Sequence, residues 1–334
     1  MDWTLVLEWT IKSILMVLVL LMGFAWGTLY ERRVLARMQV RIGPNRTGPQ
    51  GFFQPVADAF KLIFKEELIP TKADKLIFIL APILTVVPAL IISGVVPWGT
   101  SITLFGRVIP LQLTDINLAV LYILTVTSIS IYGITLAGWS SNNKYATLGG
   151  LRATAQMISY ELTLGLSFVG PILIAQSMSL NDIVNAQRST WFLFLQPLGA
   201  LIYGLAVLAE VNRSPFDMPE AEQELTAGYL TEYSGLKFAL FFMAEYIKVI
   251  AVSMIGATVF LGGYLGPGVD QFPWLGPVYL VVKVLVIMFL MIWIRATTPR
   301  FRYDRLMAFG WKIMFPLALL NVLGTAVVLL FIKG

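Results

Sequence analysis

The chain has 334 residues, 57% of them hydrophobic and 13% charged, with a mean hydropathy of +0.79 and a formal net charge of +5. A soluble domain keeps roughly a quarter of its residues charged, so this chain is solvated mostly by lipid or by other apolar protein. Cysteine and histidine are both absent. Their absence excludes an iron–sulfur cluster, a disulfide framework, histidine-ligated haem, a histidine metal site and a histidine general base on this chain.

An oxygen-only metal site stays open. Any electrons must arrive from another chain. In a membrane protein a basic balance reflects cytoplasmic loops and contact with anionic lipid, and no nucleic-acid motif is present.

A helix that crosses the hydrocarbon needs about 20 mainly apolar residues. Eight stretches meet or approach this: residues 5–30, 76–96, 116–137, 155–175, 191–211, 238–261, 278–294 and 311–331. The first contains Glu8 and Lys12 and lacks a small-residue cleavage site, so it reads as a retained helix and not a signal peptide. Turn-forming clusters around Pro97, Pro267 and Pro299 separate later stretches.

Between the first two stretches, residues 51–67 place Phe52, Phe53, Val56, Phe60, Ile63 and Phe64 at helical spacing, with Asp58, Lys61 and Lys65 on the other face. That pattern predicts an amphipathic helix at the membrane interface. A surface helix packed on its own protein would read the same way.

Lysine and arginine counts set the orientation. Loops after the odd-numbered stretches carry eighteen and the opposite side four: Lys12, Arg107, Arg188 and Lys333. The basic side is expected inside, which puts both termini on the outer (periplasmic or intermembrane) side. The expected fold is an all-α integral membrane protein of about eight transmembrane helices plus one interfacial helix, as a single polytopic domain over residues 1–334.

Ionisable side chains deep in a span cost on the order of 2.5–3.5 kcal/mol each. Lys248, Lys283, Glu161, Glu210 and Glu245 are therefore functional candidates. Glu245 and Lys248 stand three apart and could form a local pair; snorkelling to the interface is the other bland reading. Several carboxylates on neighbouring helices also suit a hydrated proton path, because burial favours their protonated form.

The loop over about 212–236 crowds Asp217, Glu220, Glu222 and Glu224 after Arg213. Carboxylates this close resist ionising together and are expected to bind protons or pair with arginines elsewhere. A solvated acidic surface is the alternative. Glu31, Arg32, Arg33, Arg41 and Arg46 flank the Gly43-Pro44 turn, which fits either a site or an anchor on anionic lipid.

The string from Gly51 to Glu66, GFFQPVADAFKLIFKE, and the string from Pro215 to Gly228, PFDMPEAEQELTAG, resemble the two signatures of one family. That family is the quinone-site membrane subunit, designated H in bacteria and 1 in mitochondria, of respiratory complex I, the NADH:quinone oxidoreductase. Residues 31–33, 41–45, 138–145, 156–161 and 241–246 support it in the expected order.

The resemblance implies a quinone-binding translocase component in a bacterial plasma membrane or its organellar equivalent. By it, Glu31, Arg32, Arg41, Asp58, Lys61, Arg213 and Asp217 belong to the quinone chamber or its entrance. Glu220, Glu222 and Glu224 link the chamber to a charge relay through Glu161, Glu210 and Glu245. Spans two to six resemble a half-transporter unit in that family.

The resemblance further implies that this chain binds no cofactor and that quinone is the substrate. Partners would be hydrophilic-arm subunits with the terminal Fe–S cluster, a tyrosine and a histidine as proton donors, FMN further out, and small and antiporter-like membrane subunits. A related component of a membrane-bound hydrogenase, formate hydrogenlyase or ferredoxin-fed plastid-type complex is the alternative. A freestanding ion transporter would carry inverted repeats, and none is visible.

Overall fold

The computed structural model describes residues 3–104, 107–217 and 227–333. In chain order it forms α1 (Trp3–Met38), α2 (Gln54–Ile63), α3 (Lys75–Ile91), a hairpin of β1 (Ser101–Leu104) and β2 (Arg107–Pro110), α4 (Ala119–Ser140) and α5 (Lys144–Ala175). Then follow α6 (Leu180–Ala186), α7 (Phe192–Leu195), α8 (Pro197–Glu210), α9 (Gly235–Phe260), α10 (Leu275–Thr297), α11 (Tyr303–Phe309) and α12 (Phe315–Lys333).

Among the described residues seven helices are long and apolar enough to cross a membrane, and Pro197–Glu210 is a shorter apolar one. The protein is a multi-pass helical membrane protein. The fifth expected stretch is divided: α7 stops at Leu195, and Gln196 has φ −133°, ψ 54° before α8 opens on Pro197. Proline disfavours helical geometry in the residue before it, which is why one apolar run gives two helices. The Ser101–Pro110 hairpin, antiparallel with Ile102 opposite Ile109, is a small departure from an all-α chain.

Helices α3, α4, α5, α8 and α9 pack on one another. Their interface buries Phe78, Ile123, Met157, Tyr160, Phe168, Ile202 and Ile247. The close crossing of α3 and α4 depends on Gly133, where an added Cβ would lie 2.8 Å from the Ala81 carbonyl oxygen. By contrast α1 and α12 keep wide apolar faces exposed, among them Leu7, Leu15, Leu323 and Leu330, as lipid or a neighbouring membrane protein requires.

Prolines inside these helices leave carbonyls without their usual donor. At Pro82 the freed acceptor is the Phe78 carbonyl four residues back. Tyr233, from the segment leading into α9, donates its hydroxyl to it at 3.2 Å and stacks on the Phe78 ring at 4.0 Å. Burial pushes the Tyr233 hydroxyl up to about 12, so it remains a donor. Before Pro316, residues Gly310–Met314 form a π-turn that joins α11 to α12, the usual local adjustment to a missing N–H.

The amphipathic stretch forms α2, shorter than the expected 51–67. It has no buried residue, and Val56, Phe60 and Ile63 are exposed on it.

Candidate functional site

Four charged side chains from four parts of the chain meet at one end of the bundle. Glu31 lies seven residues from the end of α1, and Arg213 follows the last turn of α8. Asn212, in left-handed geometry (φ 53°), turns the backbone there, and the Arg213 N–H donates back to the Leu208 carbonyl at 3.0 Å. This closure of the helix end aims the guanidinium inward.

Arg213 Nη1 donates to both oxygens of Glu31, at 2.8 and 2.9 Å. Its Nε lies 2.7 Å from Glu245 Oε1 on α9. Arg295, at the end of α10, also pairs with Glu31, and the Arg213 guanidinium rests 4.6 Å above the centre of the Tyr246 ring. Glu31 and Arg213 are each 5% exposed, so these charges survive only because they compensate one another. Burial alone pulls the Arg213 guanidinium down, but the Glu245 and Glu31 carboxylates outweigh it and the net shift is upward. It stays charged.

The local pair suggested by the spacing of Glu245 and Lys248 does not form. Glu245 is taken by Arg213, and Lys248 instead lines two small cavities with Glu210. An arginine with planar donors on several edges can serve two carboxylates at once, which a single ammonium at helical spacing does less well. Lys283 also stands apart from the carboxylates. Its ammonium donates to the carbonyls of Leu261, Gly263 and Leu265 at 2.7–2.8 Å, closing the end of α9, and lies 5.1 Å from the Trp191 ring centre.

Glu210 is 1% exposed, and neither carboxylate oxygen has a hydrogen-bond partner. A cavity of about 30 Å³ runs beside Glu210, Lys248 and Glu245. A second, of about 10 Å³, runs beside Glu210, Lys248, Thr127 and Ser130. On the far side Glu161 of α5 accepts from the Ser128 hydroxyl and from Thr127 Oγ1, the latter at 3.4 Å. The order in space is Glu245, the larger cavity, Glu210 with Lys248, the smaller cavity, Thr127 and Glu161.

Asp217 is 8% exposed and accepts from Arg300 Nη2 at 2.8 Å through Oδ2, while Oδ1 has no partner. Its loop is pinned by Gln156, whose Nε2 donates to the carbonyls of Ala209 and Phe216 at 2.9 and 2.7 Å. Phe216 packs against Tyr160, Phe301 and Phe309. Glu220, Glu222 and Glu224 lie outside the described residues.

Elsewhere, Arg32 Nη1 donates to Asp58 Oδ2 at 2.7 Å, tying α1 to α2. Arg41 and Lys61 are exposed and stand apart from the buried cluster; Arg41 Nε donates to Gln39. A groove of about 410 Å³ runs between α1, α9 and α10. Its wall is apolar, including Leu20, Ile250, Leu280 and Met288, and Tyr30, Arg33 and Phe52 stand at one end. Gly23 leaves part of this space, since a Cβ there would lie 2.9 Å from Ile250 Cδ1.

A family model described as NADH dehydrogenase matches residues 11–326. The chain belongs to the NADH dehydrogenase family. It is 49% identical over 332 residues to the H subunit of the NADH-quinone oxidoreductase of Thermomicrobium roseum, covering 96% of each chain. Another relative, the second H subunit of the NADH-quinone oxidoreductase of Geobacter sulfurreducens, is 49% identical over 321 residues, again covering 96% of each. A third, the H subunit of the same enzyme in Protochlamydia amoebophila, is 49% identical over 302 residues, with 90% of this chain and 91% of the relative covered.

Within this member of the NADH dehydrogenase family, sequence reasoning assigned Glu31 and Arg213 to a chamber and Glu245 to a separate relay, whereas the structure brings the three into one cluster. It missed Arg295 and Tyr246, which complete the cluster, and Gln156, which anchors the loop. A glutamine amid apolar residues in a span was a signal, because its amide must find partners in oil.

Proposed function

We propose that this chain is the quinone-binding membrane component of a multisubunit, proton-translocating NADH:quinone oxidoreductase. The observation that carries the reading is the apolar groove between α1, α9 and α10, which runs to Arg33 and Phe52 near the Glu31–Arg213–Glu245 cluster. A quinone is a polar ring on a greasy tail. A groove that is apolar along its length and charged at one end suits its passage from the bilayer.

In this reading Glu31, Arg32, Arg41, Asp58, Lys61, Arg213 and Asp217 form the chamber or its entrance. Glu220, Glu222 and Glu224, with Glu161, Glu210 and Glu245, carry charge away from it. The chain binds no cofactor itself. The terminal Fe–S cluster and FMN belong to hydrophilic-arm partners, and small and antiporter-like membrane subunits continue the path.

Quinone reduction changes the charge near Asp217 and Arg213. That change biases the protonation of Glu245 and then of the acids beyond it, because an equilibrium moves only as far as the new charge favours one state. The chain would act as one polytopic domain in a bacterial plasma membrane or its organellar equivalent, with both termini outside.

The test is photo-crosslinking of the assembled complex with a quinone analogue, followed by mapping of labelled peptides. Labels on α1 between Leu20 and Arg33, or on Phe52, support the reading. Labels confined to α12 overturn it.

A further inference from the structure

Lys248 takes no part in the Arg213 cluster, yet it is 9% exposed in the middle of α9. Among the described residues it makes no hydrogen bond and no ion pair within 4.0 Å. Glu210, from α8, is buried with both oxygens unpartnered. An isolated charge in such a place is strongly unfavourable. The two are tolerable together, because an ammonium and a carboxylate lining the same cavities are jointly neutral.

These two residues are also the ones the two cavities share. The larger, about 30 Å³, reaches Glu245 and has room for a water molecule. The smaller, about 10 Å³, is at the limit for one and reaches Thr127, whose hydroxyl contacts Glu161. Lys248 and Glu210 therefore stand between the cavity that reaches Glu245 and the one whose Thr127 contacts Glu161.

We propose that Lys248 is a positioning residue that makes Glu210 a transit point for protons between Glu245 and Glu161, and not a trap. The inference rests on the charge-relay reading above. With the ammonium opposite, ionised Glu210 gives a neutral pair. A proton arriving from the Glu245 side converts the carboxylate to the acid and leaves the ammonium uncompensated in oil. That state relaxes when the proton leaves through the Thr127 side to Glu161.

One proton enters and one leaves, and Lys248 keeps its own protons throughout. Without the ammonium, burial beside two other carboxylates favours the protonated acid. Glu210 then keeps what it receives.

The experiment uses the assembled complex in liposomes with Lys248→Met, Lys248→Arg, Glu210→Gln and the Lys248→Met/Glu210→Gln pair. Readouts are coupled quinone reduction and the infrared difference band of protonated carboxyl groups. Lys248→Met should slow turnover about tenfold or more and add an acid band that vanishes in the double variant. Lys248→Arg should recover most of the rate, and the double variant should be no slower than Glu210→Gln.

Normal turnover with no new band in Lys248→Met, while Glu210→Gln is slow, overturns the inference and spares the relay. Normal turnover in Glu210→Gln overturns both. Should Lys248→Met not assemble, Lys248→Gln, whose amide can bond cavity water, carries the same readouts.

Discussion

Glu31 and Glu245 are joined through one guanidinium: Arg213 donates to both oxygens of the first and stands 2.7 Å from the second. Helices α1 and α9 are thereby coupled at the end of the groove, and a change in either carboxylate is felt by the other. Arg213→Met leaves two acids facing one remaining cation, Arg295. Removing one member of a buried pair costs about 3–5 kcal/mol. The expected result is a large drop in the amount of assembled complex, read on native gels, with Arg213→Lys recovering only part of it.

Glu245→Gln is milder, because Arg213 keeps its bond to Glu31 and Arg295, 34% exposed, is partly solvated by water. Assembly should hold while coupled quinone reduction falls about tenfold or more, the low end of what a lost proton-transfer group costs. Proton uptake and turnover in liposomes measure this. An assembled variant with unchanged rates would remove Glu245 from the relay.

Gly27 faces the groove with Met288 and Tyr246 at 3.8 Å from where a Cβ would stand. Gly27→Leu therefore fits its first carbon and fills the space with the rest. The expected effect is a KM for long-tailed quinone raised about tenfold, as the loss of roughly 1.4 kcal/mol of binding implies. Electron transfer from NADH to an acceptor that bypasses the quinone site should be untouched.

Tyr233→Phe keeps the ring stacked on Phe78 and removes only the hydroxyl that serves the carbonyl freed by Pro82. A loss of about 1–3 kcal/mol is expected for leaving that buried acceptor unsatisfied. Thermal unfolding of the purified complex, compared with Tyr233→Ala, separates this from the loss of stacking.

Gly133→Val drives two methyl groups into the Ala81–Thr85 turn of α3, where even a Cβ comes within 2.8 Å of backbone. Overpacking of about 1–3 kcal/mol should lower the unfolding temperature without altering the KM for quinone.

Apolar runs were enough to locate the spanning helices because hydropathy reports directly on what lipid tolerates. They were silent about breaks. Gln196 lies inside a run that reads as continuous, and only the backbone demand of Pro197 divides it. Partner choice was less legible still. Glu245 and Lys248 stand at helical spacing, yet Arg213, remote in sequence, reaches Glu245 first. Arg295 looked like one of many basic residues at a loop edge. Its contact with Glu31 depends on how α10 packs beside α1, and no local pattern encodes that packing.

The absence of any buried residue on α2 means this helix has almost no core of its own to hold it. It is held by the Arg32–Asp58 clasp, by packing on α1 and α9 and by whatever bathes Phe60, Ile63 and Phe64. A solvent that competes for those rings loosens α2 before it melts the bundle. Detergent-extracted preparations should therefore lose quinone reactivity while the protein remains folded, and restored lipid should bring it back.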